Sequence, residues 1–293
     1  MPAADAGGSR VICVVLDPAL EAGDPARFAA LFEGFAAGYA RHFVGDEAEP
    51  TGEWRARIAG KPPPQPAMRI VVAVEEANGG ERVIGGVAAE YYRASGCVLV
   101  TYLYVSDAGT HGHRGHARRL LAEAVRACKS LGPVHAMLAE AEWPELLQAN
   151  GFPAGEVATA RTRLRFFARI GARMLDFDYL QPPLAPGKKA VPYLRLFVVP
   201  HGRDGDGTPG SPEGLREAVS GFLAEFYAAL AEDTGVPADS AALARLQGQV
   251  AAARPLTSPL PRLRLDDVAV SFHFVEPLDN SSASTALLDA MKE

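Results

Sequence analysis

The chain has 293 residues, of which 48% are hydrophobic and 22% charged, a globular composition that excludes wholesale disorder. The formal net charge of −6 argues against broad nucleic-acid binding, which needs a basic face, but leaves room for a local basic patch. Three cysteines, Cys13, Cys97 and Cys128, sit in apolar stretches with no C-x-x-C pair and are read as reduced core thiols.

The first ten residues, MPAADAGGSR, lack a basic region followed by an apolar run, so no signal peptide is predicted. No apolar stretch approaches the roughly 20 residues of a membrane helix, and a cytoplasmic protein without a membrane partner is expected. Residues 11–16 are a β-branched run and predict a first strand. Asp24-Pro25 predicts a helix start, with Phe28, Leu31, Phe32, Phe35 and Tyr39 following at helical spacing. Residues 45–67, rich in Gly, Pro and charge, predict a loop with one short helix near Trp54. Three strand-like runs follow at 69–74, 83–92 and 97–105, separated by the turn signals Asn78-Gly79-Gly80 and Ala94-Ser95-Gly96, and predict an antiparallel meander.

The period then changes. Ala117, Leu120, Leu121, Ala124, Val125 and Cys128 predict a helix closed by Gly132-Pro133. A strand at 134–138, a helix at 159–170 ended by Gly171, and strands at 174–179 and 193–199 complete a mixed α/β (α+β) layout. Residues 201–211 read as a linker. Ser211-Pro212 caps a helix whose apolar face is Leu215, Val219, Phe222, Leu223, Phe226 and Leu230. A second helix over 238–252 and a strand over 267–275 are expected. Domains are placed at 1–200, with the linker at 201–211. An extension follows at 212–293, packed on the domain or at the interface of a homodimer.

The segment from Leu103 to Leu121, LYVSDAGTHGHRGHARRLL, runs a strand into a Gly-rich loop and then into an amphipathic helix. Glycines let the backbone approach a ligand, and the amides and dipole at a helix start suit a pyrophosphate. Arg114, Arg118 and Arg119 add charge nearby. His111, His113 and His116 crowd the loop, but nothing completes a metal site at convincing spacing, so no metal is expected.

This segment resembles the acyl-CoA motif of the GNAT (N-acetyltransferase) superfamily, Gln/Arg-x-x-Gly-x-Gly/Ala. Gly115 and Ala117 match its last two fixed positions, and Gly112 stands where Gln or Arg is usual. Phe166-Phe167-Ala168-Arg169-Ile170-Gly171 is similar to the family's Tyr-x-x-x-Gly segment, with Phe167 at the Tyr position. The resemblance covers roughly residues 10–200. It implies a mixed, mostly antiparallel sheet flanked by helices, with the C-terminal helices and strand as an addition.

It further implies acetyl-CoA or another acyl-CoA as co-substrate, held by Gly112, His113, Arg114, Gly115, His116, Ala117 and Arg118, with Leu103 and Val105 along the pantetheine arm between two splayed strands. A small-molecule amine would attack the thioester directly. The Val105 amide would serve the oxyanion, and a carboxylate would take the proton. Candidate bases are Glu140, favoured for its place where the strands diverge, and Glu90. Tyr104 is a candidate proton relay. Tyr102, Glu142, Arg163, Tyr179 and Gln181 are candidates for acceptor binding. Phe167 cannot protonate a leaving thiolate. With Gly112, it keeps two other readings open: an acyl carrier such as aminoacyl-tRNA, or a non-catalytic binding module.

Overall fold

The computed structural model describes residues 10–43, 49, 51–60, 66–77, 79–106, 115–201, 211–235 and 237–260. Strand β1 (Arg10–Leu16) leads into α1 (Pro18–Gly23) and α2 (Pro25–His42). Both helices start on an Asp-Pro step. Asp17 accepts from the Leu20 amide at 2.9 Å and Asp24 from the Arg27 amide at 3.0 Å. The first of these starts was not anticipated from the sequence. A 3-10 turn at Thr51–Glu53 enters α3 (Trp54–Ala59), and the meander follows as β2 (Ala67–Ala77), β3 (Gly80–Tyr92) and β4 (Cys97–Val105).

Helix α4 (His116–Lys129), β5 (Ala136–Glu142), α5 (Pro144–Ala149), α6 (Ala154–Arg169), β6 (Arg173–Leu175) and β7 (Leu194–Val199) come next. The C-terminal part contributes α7 (Pro212–Thr234), α8 (Ser240–Ala252) and β8 (Thr257–Pro259). Ser211 caps α7 through the Gly214 amide at 3.0 Å, as its sequence predicts.

Three boundaries differ from expectation. The strand expected at 134–138 runs from Ala136 to Glu142, which brings Glu140 into the sheet. Helix α6 begins at Ala154, because Pro153 sets an extended entry that its Ala-Gly sequel obscures. The strand expected at 174–179 stops at Leu175, and residues 176–181 are irregular. The expected strand at 267–275 and most of the linker lie outside the described residues.

The strands form one sheet of eight in the order β1-β2-β3-β4-β5-β7-β6-β8. Every neighbouring pair is antiparallel except β4 and β5. Alternation along the strands sends Val87, Ala89, Tyr91, Met137 and Phe197 to one face, where they pack with α4 and α6. Ala88, Tyr92, Leu138 and Leu196 point to the other. That second face carries two clusters. One lies under α2 and α3 with Phe35, Trp54 and Tyr104. The other lies under α7 and α8 with Phe222, Phe226 and Leu246. Helices α7 and α8 therefore share a core with the sheet. Among the described residues no helix is long and apolar enough to cross a membrane.

Candidate functional site

Strands β4 and β5 run side by side for only four residue pairs, from Cys97 with Ala136 to Val100 with Ala139. Beyond that point β4 continues to Val105 along β3, and β5 continues to Glu142 along β7. The two strands part, and a gap opens in the middle of the sheet. A bulge marks the parting: Ala89 faces Val100 but Ala88 faces Tyr102, so Thr101 is an extra residue on β4.

The edge of β4 that faces the gap follows from hydrogen-bond parity. The Ser106 amide donates to Ile84 O at 2.8 Å, so Tyr104 and Tyr102, two and four residues back, also spend their backbone groups on β3. The amides and carbonyls of Leu103 and Val105 point the opposite way, into the gap. These are the two residues expected to lie along a pantetheine arm.

Beyond β4 the chain reaches α4. Gly115 is its N-cap, with φ of 84°, a left-handed conformation that favours glycine. Glycine has no side chain with which to cap, and the Ala117 and Arg118 amides have no acceptor within the helix; the first intrahelical bond is Arg119 N to Gly115 O at 3.0 Å. His116 is buried at the first helical position. Gly112, His113 and Arg114 lie outside the described residues. Arg118 directs its guanidinium to Arg169 O at 3.3 Å, at the end of α6. Among the described residues no group of His, Cys, Asp and Glu could hold a metal ion.

Glu140 stands on β5 one residue past the last pairing with β4. Its carboxylate accepts from the Tyr179 hydroxyl at Oε1 and from Gln181 Nε2 at Oε2, the latter at 2.8 Å. Burial pushes its pKa up to about 7, while these two hydrogen bonds pull it down and the charge of Glu49 adds a further upward push. Tyr179 is itself buried and its phenol is held well above its usual range by burial and by Glu140. Gln181 Oε1, on the same side chain, is buried and has no hydrogen-bond partner among the described residues. The structure thus brings Glu140, Tyr179 and Gln181 together.

It does not bring the other candidates to that carboxylate. Glu90 lies in a separate buried network. It is 3% exposed, ion-paired with Arg57, and accepts from the Tyr92 hydroxyl at 2.7 Å. Tyr104 is turned away from Glu140. It is 2% exposed under α2, where its hydroxyl donates to Phe35 O at 3.0 Å and burial raises its pKa. The bulge at Thr101 decides this, because it turns Tyr102 and Tyr104 onto the α2 face. Tyr102 is buried there too, with its hydroxyl on Glu49 at 3.2 Å. Glu142 and Arg163 pair with each other at the far end of β5. Phe167 lies in the core, stacked on Phe197 with centroids 5.4 Å apart.

Sequence reasoning missed the buried network of Glu49, Arg57, Glu90 and Tyr92. Arg57 binds Glu49 Oε2 at 2.8 Å and Glu90 together, and sits in a six-residue helix whose other inward residues are Trp54 and Ile58. An arginine aligned with that apolar face was the signal available. It also missed Tyr227, which adjoins Phe226 on α7.

The architecture is the one the GNAT resemblance implies: a mostly antiparallel sheet whose parallel pair, β4 and β5, splays, with α4 following β4 in the chain. No protein-family model matches the sequence, and no curated protein does. Among solved structures the chain is similar to a putative GNAT-family acetyltransferase from Bacteroides thetaiotaomicron, at 18% identity over 66% of this chain and 87% of that one, with a TM-score of 0.41. It is similar to the catalytic domain of the Tetrahymena GCN5 histone acetyltransferase in complex with coenzyme A, at 14% identity over 64% and 92%, TM-score 0.37. It is also similar to Arabidopsis thaliana NAA60 in complex with a bisubstrate analogue, at 16% identity over 66% and 100%, TM-score 0.38. Likenesses this distant leave the functional reading to the site's own geometry.

Proposed function

We propose that the chain is an acyl-CoA-dependent N-acyltransferase, with acetyl as the acyl group and a small-molecule amine as acceptor, and that Glu140 is its general base. The observation that carries this reading is the placement of a carboxyl of raised pKa at the opening between β4 and β5. Outward backbone groups of Leu103 and Val105 line one side of the same opening. They fit an extended amide-bearing arm, and the uncapped start of α4 fits a phosphate group.

The co-substrate supplies an activated acyl carbon. The chain's residues supply the rest. Glu140 accepts the proton that the ammonium must lose before its nitrogen can attack; the C–N bond then forms to give a tetrahedral oxyanion, its collapse breaks the C–S bond, and the second proton on nitrogen passes through solvent to the departing thiolate. Tyr179 and Gln181 hold the carboxylate in place for that transfer. Gln181 Oε1, which has no protein partner, offers a further acceptor for an N–H of the incoming amine. The Val105 amide serves the oxyanion.

The test is a thermal-shift measurement with acetyl-CoA, followed by release of free CoA thiol in the presence of a panel of small primary amines. A ligand at about 100 times its dissociation constant stabilises by ~2.7 kcal/mol, so binding is expected to raise the melting temperature clearly. Absence of both stabilisation and amine-dependent thiol release removes the reading.

A further inference from the structure

Residues 176–181 carry both partners of Glu140 yet form no regular structure, so their backbone groups must find partners elsewhere. Two of those bonds are local, from the Phe177 amide to Leu175 O at 3.1 Å and from the Tyr179 amide to Phe177 O at 2.9 Å, and three come from the C-terminal part of the chain. The Asp176 amide donates to Leu256 O at 2.8 Å, just before β8. The Asp178 amide donates to Gln249 Oε1 of α8 at 3.1 Å. Leu180 O accepts from the Tyr227 hydroxyl of α7 at 2.9 Å. Gln181 is then fixed by exchange of backbone bonds with Val191 at 3.2 and 2.9 Å. The Leu180 carbonyl belongs to the peptide that joins Leu180 to Gln181, so the Tyr227 bond fixes the peptide entering Gln181 directly and holds Tyr179 through the adjoining residue Leu180.

We propose that the C-terminal helical pair is part of the acyl-acceptor site, and that Tyr227 is a positioning residue which, by holding Leu180, aims Tyr179 and Gln181 at the Glu140 carboxylate. The proposal rests on the acyltransferase reading both for calling this an acceptor site and for its kinetic consequence; the positioning stands on geometry. The groups that face Glu140 are Tyr179 and Gln181 on the irregular segment, Tyr92 on β3, Glu49 before α3, and Tyr227 on α7. Arg57 lies next to Glu49 and Tyr92. From β7 the register partner is apolar Leu196. Of these, the two groups that hydrogen-bond the carboxylate favour its ionised form. Loosening them makes Glu140 hold its proton to higher pH.

Tyr227→Phe removes the hydroxyl and keeps the ring. Titration of Glu140 by carboxyl 13C NMR, assigned with Glu140→Gln, is expected to move upward by about half a pH unit or more. The acidic limb of kcat/KM is expected to move with it, giving about threefold lower activity below neutrality and near wild-type activity at alkaline pH. Gln249→Ala, which frees Asp178 from α8, is the second variant and is expected to shift the titration in the same direction if Tyr227→Phe does not fold. An unchanged or lowered Glu140 titration in the folded variant overturns the positioning role. If wild-type protein transfers no acyl group while Tyr227→Phe still shifts the titration, the acyltransferase reading falls and the positioning role stands. If wild type is active and neither the titration nor the acidic limb moves, the reverse holds.

Discussion

Gln181 Nε2 lies 2.8 Å from Glu140 Oε2, so a residue of the irregular segment after β6 and a residue of β5 share one carboxylate at the parting of the sheet. If that carboxylate is the base, replacing it by an amide of the same shape removes proton acceptance and little else. Glu140→Gln is expected to lower kcat/KM by about 10²–10⁴-fold, with acetyl-CoA stabilisation in a thermal-shift assay retained. Glu90→Gln, at the carboxylate occupied by Arg57 and Tyr92, is expected to keep transfer within a few-fold of wild type. Equal losses in the two variants contradict the assignment.

The pH dependence carries its own sign. Glu140 is raised from an ordinary 4.5 to about 7, so the folded chain keeps this proton over a window in which the unfolded chain has lost it. The stability this contributes is fully present below the unfolded value and is lost as pH rises through the folded one. The total is on the order of 3 kcal/mol. Urea midpoints at pH 5 and pH 8 are expected to fall further for wild type than for Glu140→Gln across that interval. Activity runs in the opposite sense, because the base must be ionised: kcat/KM is expected to rise through neutrality. Parallel stability profiles in the two proteins would place the shifted proton elsewhere.

Local patterns foretold most of the architecture, because caps and periodicity are written in neighbouring residues: Asp24-Pro25, Ser211-Pro212 and the helical spacing of 117–128 all fold as they read. The site was half legible. Glu140, Tyr179 and Gln181 were each singled out, but only the fold joins residues 39 and 41 positions apart. Tyr102 and Tyr104 share a strand face, as alternation predicts, but which face that is depends on the extra residue at Thr101, visible only in the pairing of β3 with β4. Arg57 and Tyr227 act through partners far along the chain, and nothing in their own neighbourhoods announces which carboxylate or carbonyl they meet.

Arg57 is the single cation between Glu49 and Glu90 in the described structure. Removing it leaves two carboxylates facing each other in a buried setting, and the desolvation already spent on them has nothing to offset it. Arg57→Met is expected to destabilise by about 3–5 kcal/mol in chemical denaturation. Adding Glu90→Gln to that variant is expected to restore part of the loss, because the uncompensated charge is then gone. Strictly additive effects would show that the pair does not interact as drawn.

Phe222 is wholly buried on α7. Its ring stacks on Phe226 at 5.4 Å and meets Tyr92 of β3 edge-on at 5.0 Å. Truncation opens a cavity between the helix and the sheet, and Phe222→Ala is expected to cost about 3–5 kcal/mol. The two tryptophans of the chain, Trp54 and Trp143, both lie outside α7 and α8, so their fluorescence reports the sheet half while far-UV circular dichroism sums all the helices. Because α7 and the sheet share one core, both probes are expected to shift together in urea by the same amount. If fluorescence keeps its wild-type midpoint while dichroism loses an early fraction, α7 and α8 melt as a separate unit. Their bonds to the segment 176–181 would then be too weak to position anything at Glu140.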